Sequence, residues 1–189
     1  MEDRRLYDIA EYHDADSDVQ RVYDDIMEHL GQEGLVDYFK MLGQHNTHAL
    51  TTTWALLKST LLQGVLPRSL KELVFVAISN EKDCAYCTKI HTALCKMLDI
   101  NESTLQAVLN KSPNLNPQKL KLAIDFAVKA AIDSNEMSEL DHQTLIDAGI
   151  SKQEIFELMC LASVVNYSNS LSQSMMVGVD ENIQSYLNR

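Results

Sequence analysis

The sequence predicts an all-α protein, a single compact domain of about seven to nine helices over residues 1–189. Three observations support this. Apolar residues recur at helical spacing in successive segments, capping residues and Gly or Pro mark the ends of those segments, and no segment shows sustained strand alternation. Within the domain we expect an N-terminal helical extension at 1–46 and a motif-bearing core at 67–178.

The first predicted helix ends at Gly31, with Ser17 and Gln20 as its capping box. Its apolar residues follow helical spacing: Val19, Val22, Tyr23, Ile26, Met27 and Leu30. The second covers about 47–62 and is closed by Gly64 and Pro67.

A third helix is predicted over about 68–80, and a fourth over about 84–98 with Asp83 as its N-cap. A shorter helix follows Asn101. Pro117 is expected in the first turn of the next helix, which runs to about 132.

Ser138 and Ser151 are expected to cap the last two helices. Glu154 completes a capping box with Ser151, and the helical pattern behind it continues to about 176. Two segments, LDINESTLQAVL at 98–109 and DAGISKQEIFEL at 147–158, share a turn, an Ile, a cap residue and similar apolar offsets. This similarity indicates either a weak internal duplication or the same capping chemistry used twice.

The charge and the apolar runs exclude several classes of partner. The net charge is −11, and the acidic residues are spread along the chain, which disfavours binding to nucleic acid and to anionic membranes. The N-terminal stretch shows no secretion signal, and the longest apolar run, near 158–165, is too short to span a bilayer. We therefore expect a cytoplasmic protein, in which a CxxC pair indicates redox or metal chemistry rather than a structural disulfide.

The stretch CAYCTKIH places Cys84, Cys87 and His91 within one short segment. At a helix N-terminus the free amide groups and the helix dipole favour a thiolate. At about 100° per residue, these three residues and Cys95 lie within roughly an 80° arc of one helix face. The alternative is that the cysteines are small buried apolar residues, which is the favoured interpretation for Cys95 and for Cys160.

Glu72 lies in LKELVFVAIS, a segment that is apolar almost all round. If the carboxyl is buried, its pKa should rise toward the range of a general acid or base. If instead it belongs to an exposed first turn, it faces water and is favoured by the helix dipole.

Residues 67–91, PRSLKELVFVAISNEKDCAYCTKIH, resemble the signature of the AhpD-like alkylhydroperoxidases in the carboxymuconolactone decarboxylase superfamily. That signature has a Glu on one helix, a CxxC opening the next, and a His four residues after the second Cys. Glu72, Cys84, Cys87 and His91 fill these positions. The resemblance extends more loosely to 178, through a long Asn-bearing last helix.

The resemblance implies a peroxidase in which Cys87 attacks the peroxide, Cys84 resolves the sulfenic acid as a disulfide, and Glu72 and His91 relay protons. It also implies a hydroperoxide substrate, a dithiol electron donor of dihydrolipoyl or thioredoxin type, and a homo-oligomer of two, three or six subunits. No cofactor is expected. Between the two cysteines the family often has a His, and this chain has Tyr86. This departure concerns the efficiency of the proton relay and the identity of the electron donor. Tyr86 is included among the candidate site residues.

Other functions remain open at this point. A zinc site at Cys84, Cys87, His91 and Cys95 would need ligands that are spread over about 16 Å of helix. A redox sensor would react with peroxide without turnover. A lactone decarboxylase of the same superfamily would not need the thiol pair. Asn166 and Asn169 either line the pocket or, as we favour, form hydrogen bonds between helices.

Overall fold

The computed structural model describes residues 6–187, apart from the side chain of Asn182. The described residues form ten α-helices, two short 3-10 helices at Gln32–Gly34 and Ser134–Glu136, and no strand: α1 Ser17–Leu30, α2 Asp37–His45, α3 Thr47–Leu61, α4 Arg68–Glu81, α5 Ala85–Met97, α6 Glu102–Leu109, α7 Gln118–Ile132, α8 Glu139–Asp147, α9 Lys152–Ser174 and α10 Glu181–Leu187. The predicted all-α class is confirmed. The helix number is one above the expected range, because the short helices α2 and α10 were not identified from the sequence. Among the described helices, none is both long enough and apolar enough to cross a membrane.

Helix α4 forms the centre of the fold. Every residue from Lys71 to Ser79 is buried, and α4 packs against α5, α7 and α9. Burial on all sides explains why its sequence lacks a clear polar face. Residues at the surface of α4 are confined to its ends, so a functional group in its middle must face another helix.

The turn between α4 and α5 differs from the sequence prediction. Asp83 adopts a left-handed conformation with φ 53°, and the Cys84 N–H bonds to the Ser79 carbonyl at 2.9 Å. This is the backbone pattern that closes a helix, so Asp83 ends α4 and does not cap α5. Cys84 itself is the N-cap residue of α5, and its thiol therefore lies where the two helices meet.

The other predicted caps were right in part. Ser138 and Ser151 are N-caps as expected, Ser151 forms the predicted capping box with Glu154, and Gly31 ends α1. Ser138 also forms a capping box, with Asp141, which was not predicted. Asp16, rather than Ser17, caps α1 through hydrogen bonds from the Asp18 and Val19 amides. Pro117 is the N-cap residue of α7 and precedes its first turn.

The two similar segments build the same local turn. Asp99 and Gly149 both have a positive φ, and the next residue in each case, Ile100 or Ile150, donates its N–H to a carbonyl five residues earlier at 3.0 Å. A polar N-cap then starts the following helix. Repeated capping chemistry is therefore sufficient to explain the sequence similarity.

A buried lysine joins α3, α4 and α9 beside the loop that follows α3. Lys71 is 1% exposed. Its ammonium group donates to the carbonyls of Thr60, at 2.9 Å, and Gln63 and forms an ion pair with Glu157. Glu157 in turn accepts the Val65 N–H at 2.7 Å. A buried charge is tolerated only when it is paired and hydrogen-bonded in this way.

Gly64→Ala should destabilise the protein by disrupting this network. Gly64 has φ +100°, and an added Cβ would overlap the Glu157 carboxylate. Gly149→Ala is the matched control, since Gly149 has φ +76°, ends a helix and has open space around it. We expect a loss of about 1 kcal/mol for the control, from backbone strain alone, and at least about 3 kcal/mol for Gly64→Ala, the usual cost of breaking a buried ion pair. Urea unfolding measures both values, and equal losses would contradict a structural role for the network.

Candidate active site

The Glu72 carboxylate lies between two cationic or hydrogen-bonding partners. Glu72 is 0% exposed. Its Oε1 accepts a hydrogen bond from Arg68 Nε at 2.5 Å, and its Oε2 lies 2.5 Å from His91 Nδ1. The His91 ring also stacks on Phe75 of α4, with ring centroids 3.6 Å apart. Glu72 is thus buried, and the alternative of a water-facing first-turn glutamate is wrong.

The predicted upward shift of the Glu72 pKa is also wrong. Burial raises the pKa of this carboxyl, but His91 and Arg68 outweigh burial and hold the pKa below its usual value. An ionised carboxylate can only accept hydrogen bonds. The hydrogen atom in this contact is therefore on His91 Nδ1, which donates a hydrogen bond to Glu72. The second ring nitrogen, Nε2, is then left for exchange with another group. The contact with Glu72 fixes the orientation of the imidazole.

The two thiols of the CxxC pair share one serine partner. Ser172 of α9 places its hydroxyl 3.0 Å from the Cys87 sulfur and 3.4 Å from the Cys84 sulfur. The same hydroxyl lies 3.1 Å from the Asn169 carbonyl. Since a hydroxyl has a single proton, Ser172 can donate to a sulfur or to that carbonyl, but not to both at once.

The pair is arranged to hold one negative charge. A hydrogen bond from the Cys87 thiol lowers the pKa of Cys84 from 9.0 to about 6; burial opposes this shift, and Ser172, the Cys87 amide and His91 contribute to it. The pKa of Cys87 is raised, first by its hydrogen bond to Cys84 and then by burial. At neutral pH the pair therefore keeps one of its two protons.

An apolar cavity of about 80 Å³ leads to Cys87. Aromatic side chains form much of its wall, together with aliphatic residues mainly from α3 and α5 and the polar side chains of Glu33, Arg68 and Ser168; the aromatic members are Tyr38, Phe39, Trp54, Phe75 and Tyr86. Cys87 and His91 line the cavity. Cys84 is 0% exposed, against 4% for Cys87, and it is not part of the wall. A small molecule in the cavity therefore meets Cys87 first.

The remaining candidates lie outside this arrangement. Cys95 is fully buried, as packing requires, whereas Cys160 is exposed, so its predicted burial is wrong. Asn166 donates to the Ala131 carbonyl, and Asn169 accepts from Ser79, which confirms hydrogen bonds between helices. Within the described part of the chain, the thiols and His91 do not form a cluster of three ligand atoms; only the surface residues Asp25, Glu28 and His29 do.

Several site residues were not identified from the sequence. Arg68 precedes Glu72 by four residues, a spacing at which opposite charges meet on a helix, and this pattern could have found it. Ser172 and Ser168 occur in a serine-rich stretch of α9 that gives no signal of its own. Tyr38 lies in the segment that we took for an N-terminal extension, and only the folded chain brings it to the cavity.

The comparison with protein families gives one match. Residues 48–112 match the carboxymuconolactone decarboxylase family. This span contains all four residues of the predicted signature, Glu72, Cys84, Cys87 and His91. Curated proteins gave no significant match to the chain.

Solved structures share the fold over almost the full chain. A protein from Ralstonia eutropha JMP134, described as an alkylhydroperoxidase AhpD core and uncharacterized peroxidase-related protein, is 18% identical, with a TM-score of 0.83 over 94% of this chain and 93% of its own. A peroxidase-related protein from Silicibacter sp. TM1040 is 19% identical, with a TM-score of 0.81 over 96% and 95%. The debrominase Bmp8, solved with 2,3,4-tribromopyrrole as a cysteine-to-alanine variant, is 16% identical, with a TM-score of 0.80 over 97% and 96%.

The fold is therefore the AhpD-like all-α fold. The predicted resemblance to the carboxymuconolactone decarboxylase superfamily is confirmed, with the family match confined to residues 48–112. At these low identities the structural similarity establishes the architecture that surrounds the CxxC pair. Its chemistry must be inferred from the site itself.

The reaction of the thiol pair with iodoacetamide should have a midpoint near pH 6, with the adduct on Cys87. The pKa of Cys84 is lowered to about 6, so the anionic pair forms above that pH and the rate falls as the pH drops through it. Ser172→Ala should move the midpoint upward because the hydroxyl lowers the pKa of both thiols. Ser170→Ala, at an exposed position of the same helix, is the control and should leave the midpoint in place. A midpoint near pH 9 in the unmodified chain would contradict the shared charge.

Glu72→Gln should preserve the fold and slow thiol alkylation at pH 7 by about 10², the usual effect of losing a positioned acid–base system. The amide cannot accept from both Arg68 and His91 as the carboxylate does, so the imidazole loses its fixed orientation. Glu81→Gln is the matched control, because Glu81 lies on the same helix and pairs only with Lys111 at the surface. Stopped-flow alkylation with both variants checks the prediction, and equal rates would show that Glu72 has a structural role alone.

Proposed function

We propose that the protein is a thiol-dependent peroxidase that reduces organic hydroperoxides, or hydrogen peroxide, through a dithiol–disulfide cycle. The observation that carries this proposal is the position of Cys87. Its thiol lines an apolar cavity, while its partner Cys84 lies behind it with a lowered pKa of about 6. A thiolate, a resolving thiol and access for a small molecule are the three requirements of such a cycle.

In the first step the Cys87 sulfur attacks the outer oxygen of the hydroperoxide. A sulfur–oxygen bond forms, the oxygen–oxygen bond breaks, and the alkoxide takes up a proton and leaves as the alcohol. Cys84 then attacks the Cys87 sulfenic acid, so that a disulfide forms and the hydroxide leaves with a proton as water. A dithiol donor reduces the disulfide and completes the cycle.

Electrostatics and access favour different cysteines for the first attack. The lowered pKa belongs to Cys84, but Cys84 is the sulfur that does not line the cavity. We give access the greater weight, because a thiolate that the peroxide cannot reach does not react. A shift of the shared proton from Cys87 to Cys84 produces the Cys87 thiolate, and His91 Nε2 is one helical turn away to assist. The site thus supports Cys87 as the attacking residue and Cys84 as the resolving one.

Reductive removal of a halogen from an aromatic compound is the second candidate. The aromatic wall of the cavity, with Tyr38, Phe39 and Trp54, suits a flat apolar ring, and the debrominase shares this fold. In that reaction two thiols supply two electrons, the ring gains hydrogen, the halide leaves, and a disulfide remains. The same thiol pair could therefore serve either substrate.

We also propose a cytoplasmic location, where the cell keeps such a pair reduced between cycles. A homo-oligomer is proposed as well, supported by large apolar side chains that stay exposed on α9. Phe156 is 64% exposed and Tyr167 is 40% exposed. Surfaces of this kind often become buried between subunits.

The two cysteine substitutions should differ in kind. Cys84→Ser should react once with cumene hydroperoxide and stop as a sulfenic acid on Cys87, because the resolving thiol is missing. Cys87→Ser should lose the fast first step. The unsubstituted chain should form a Cys84–Cys87 disulfide and consume the peroxide repeatedly when dihydrolipoamide or thioredoxin is supplied. Sulfenic-acid trapping, peptide mapping and peroxide consumption measure these outcomes.

Other results would redirect the assignment. A sulfenic acid that forms on Cys84 at the native rate in the Cys87→Ser chain would reverse the two roles. One oxidation without further consumption, whatever the donor, would indicate a redox sensor. Bromide release from tribromopyrrole together with inactivity toward peroxides would favour the dehalogenase.

A further inference from the structure

Three residues of the cavity wall have a buried hydroxyl group with no hydrogen-bond partner of normal length among the described residues: Tyr38, Tyr86 and Ser168. Tyr38 and Ser168 are considered first. Each residue is 5% exposed. A buried hydroxyl without a partner costs about 1–3 kcal/mol, and a phenylalanine would fill the same space as Tyr38 without that cost. Such a pair of groups is expected where a ligand supplies the missing polar atom.

The two hydroxyls approach each other from different helices. Tyr38 comes from α2 and Ser168 from α9, one turn before the Ser172 that contacts both sulfurs. The two hydroxyls are close enough that a long hydrogen-bond contact from Ser168 lowers the Tyr38 pKa, but no hydrogen bond of normal length joins them. An oxygen atom between them could accept a hydrogen bond from each.

The Tyr38 phenol lines the same cavity as Cys87 and keeps its proton at neutral pH. Burial is the main cause of its raised pKa, the neighbouring Tyr167, Cys87 and Cys84 raise that pKa further, and Ser168 lowers it. The Tyr38 ring is held by Phe39, with centroids 5.3 Å apart, and by Tyr86, with centroids 6.4 Å apart. The hydroxyl therefore has a fixed position in the cavity.

Tyr86 also has a buried hydroxyl without a partner, but its surroundings differ. The charged group with the largest effect on Tyr86 is Asp180, with Cys87 second. Tyr38 is affected by both cysteines and by Ser168. Tyr38 is thus the tyrosine that is paired with Ser168, and Ser168 lies one turn before the Ser172 that contacts both sulfurs.

We propose that Tyr38 is a catalytic residue, the acid that donates a proton to the departing oxygen of the hydroperoxide, and that Ser168 holds the same oxygen with a second hydrogen bond. This inference rests on the proposed peroxidase function and assigns the source of the proton in its first step. As Cys87 attacks, the electron pair of the oxygen–oxygen bond moves to the inner oxygen, which takes the Tyr38 proton and leaves as the alcohol. The tyrosinate recovers the proton that Cys87 had passed to Cys84. Cys84 is then a thiolate and ready to form the disulfide.

In this proposal the thiol pair and the leaving group are served by different residues. Glu72 and His91 act on the thiol pair, from the α4–α5 side, and influence how readily a thiolate forms. Tyr38 and Ser168 act on the leaving group, from α2 and α9. A reaction that needs a thiolate but no proton for its leaving group should depend on the first set alone.

The test compares reagents whose leaving groups differ in their need for a proton. With cumene hydroperoxide, Tyr38→Phe should form the Cys87 sulfenic acid about 10² times more slowly than the unsubstituted chain, the usual contribution of a general acid. With perbenzoic acid the loss should be much smaller, since a carboxylate leaves without a proton. Alkylation by iodoacetamide, from which iodide departs, should keep its rate.

Ser168→Ala and Tyr12→Phe complete the comparison. Ser168→Ala should show the same selective loss, about 10-fold with cumene hydroperoxide, consistent with one of two hydrogen bonds. It also keeps the proposal testable if Tyr38→Phe does not fold. Tyr12→Phe is the control, because the Tyr12 hydroxyl donates to Asp24 at 2.8 Å and its ring is outside the cavity wall. This variant should match the unsubstituted chain with all three reagents.

The outcomes separate this inference from the proposed function. If the unsubstituted chain reduces cumene hydroperoxide and both Tyr38→Phe and Ser168→Ala do so at its rate, the assignment of Tyr38 and Ser168 is overturned while the peroxidase function stands. Equal losses with all three reagents would show a structural effect and overturn it too. A chain that does not react with hydroperoxides at all would overturn the peroxidase function and, with it, this inference.

Discussion

The ionised carboxylate in the middle of the fold determines how the site is built. Glu72 is fully buried, and a charge in that position is stable only if its partners arrive with the folded chain. Arg68 comes from the same helix, and His91 comes from α5, so the ion pair fixes the pairing of α4 with α5. The same contact orients the imidazole, and the closing turn of α4 places Cys84 at the start of the next helix. The position of the thiols therefore follows from how one charge is neutralised.

The sequence was informative where the chemistry is local. The CxxC pair, His91 and Glu72 lie on two consecutive helices with defined spacing, so their proximity could be predicted from helical geometry. The direction of the Glu72 pKa shift could not, because the expectation considered burial without the opposing effects of His91 and Arg68. Asp83 was assigned to the wrong helix, since Asp is common both as an N-cap and in the left-handed position that ends a helix. Tyr38, Ser168 and Ser172 come from segments far apart in the chain, and a single sequence does not show which faces of distant helices meet.

The cavity contrasts with the acidic character of the molecule as a whole. The chain carries a net charge of −11, yet aromatic and aliphatic groups surround Cys87. A polar peroxide must give up its hydration to enter such a space, whereas an apolar one gains from the transfer. The hydroxyls of Tyr38 and Ser168, which can replace lost hydration, line the same cavity as the sulfur of Cys87. Selectivity and chemistry would thus depend on the same few side chains.

The burial of both sulfurs has a consequence for the order of events in the proposed cycle. Cys87 is 4% exposed and Cys84 is 0% exposed, so a reductant must reach their disulfide through the cavity that the hydroperoxide used. The alcohol has to depart before the donor can bind, which makes the two half-reactions sequential and mutually exclusive. At high concentration the hydroperoxide would occupy the oxidised form and obstruct its reduction. Turnover would then decline with excess substrate, a self-limitation that arises from architecture alone.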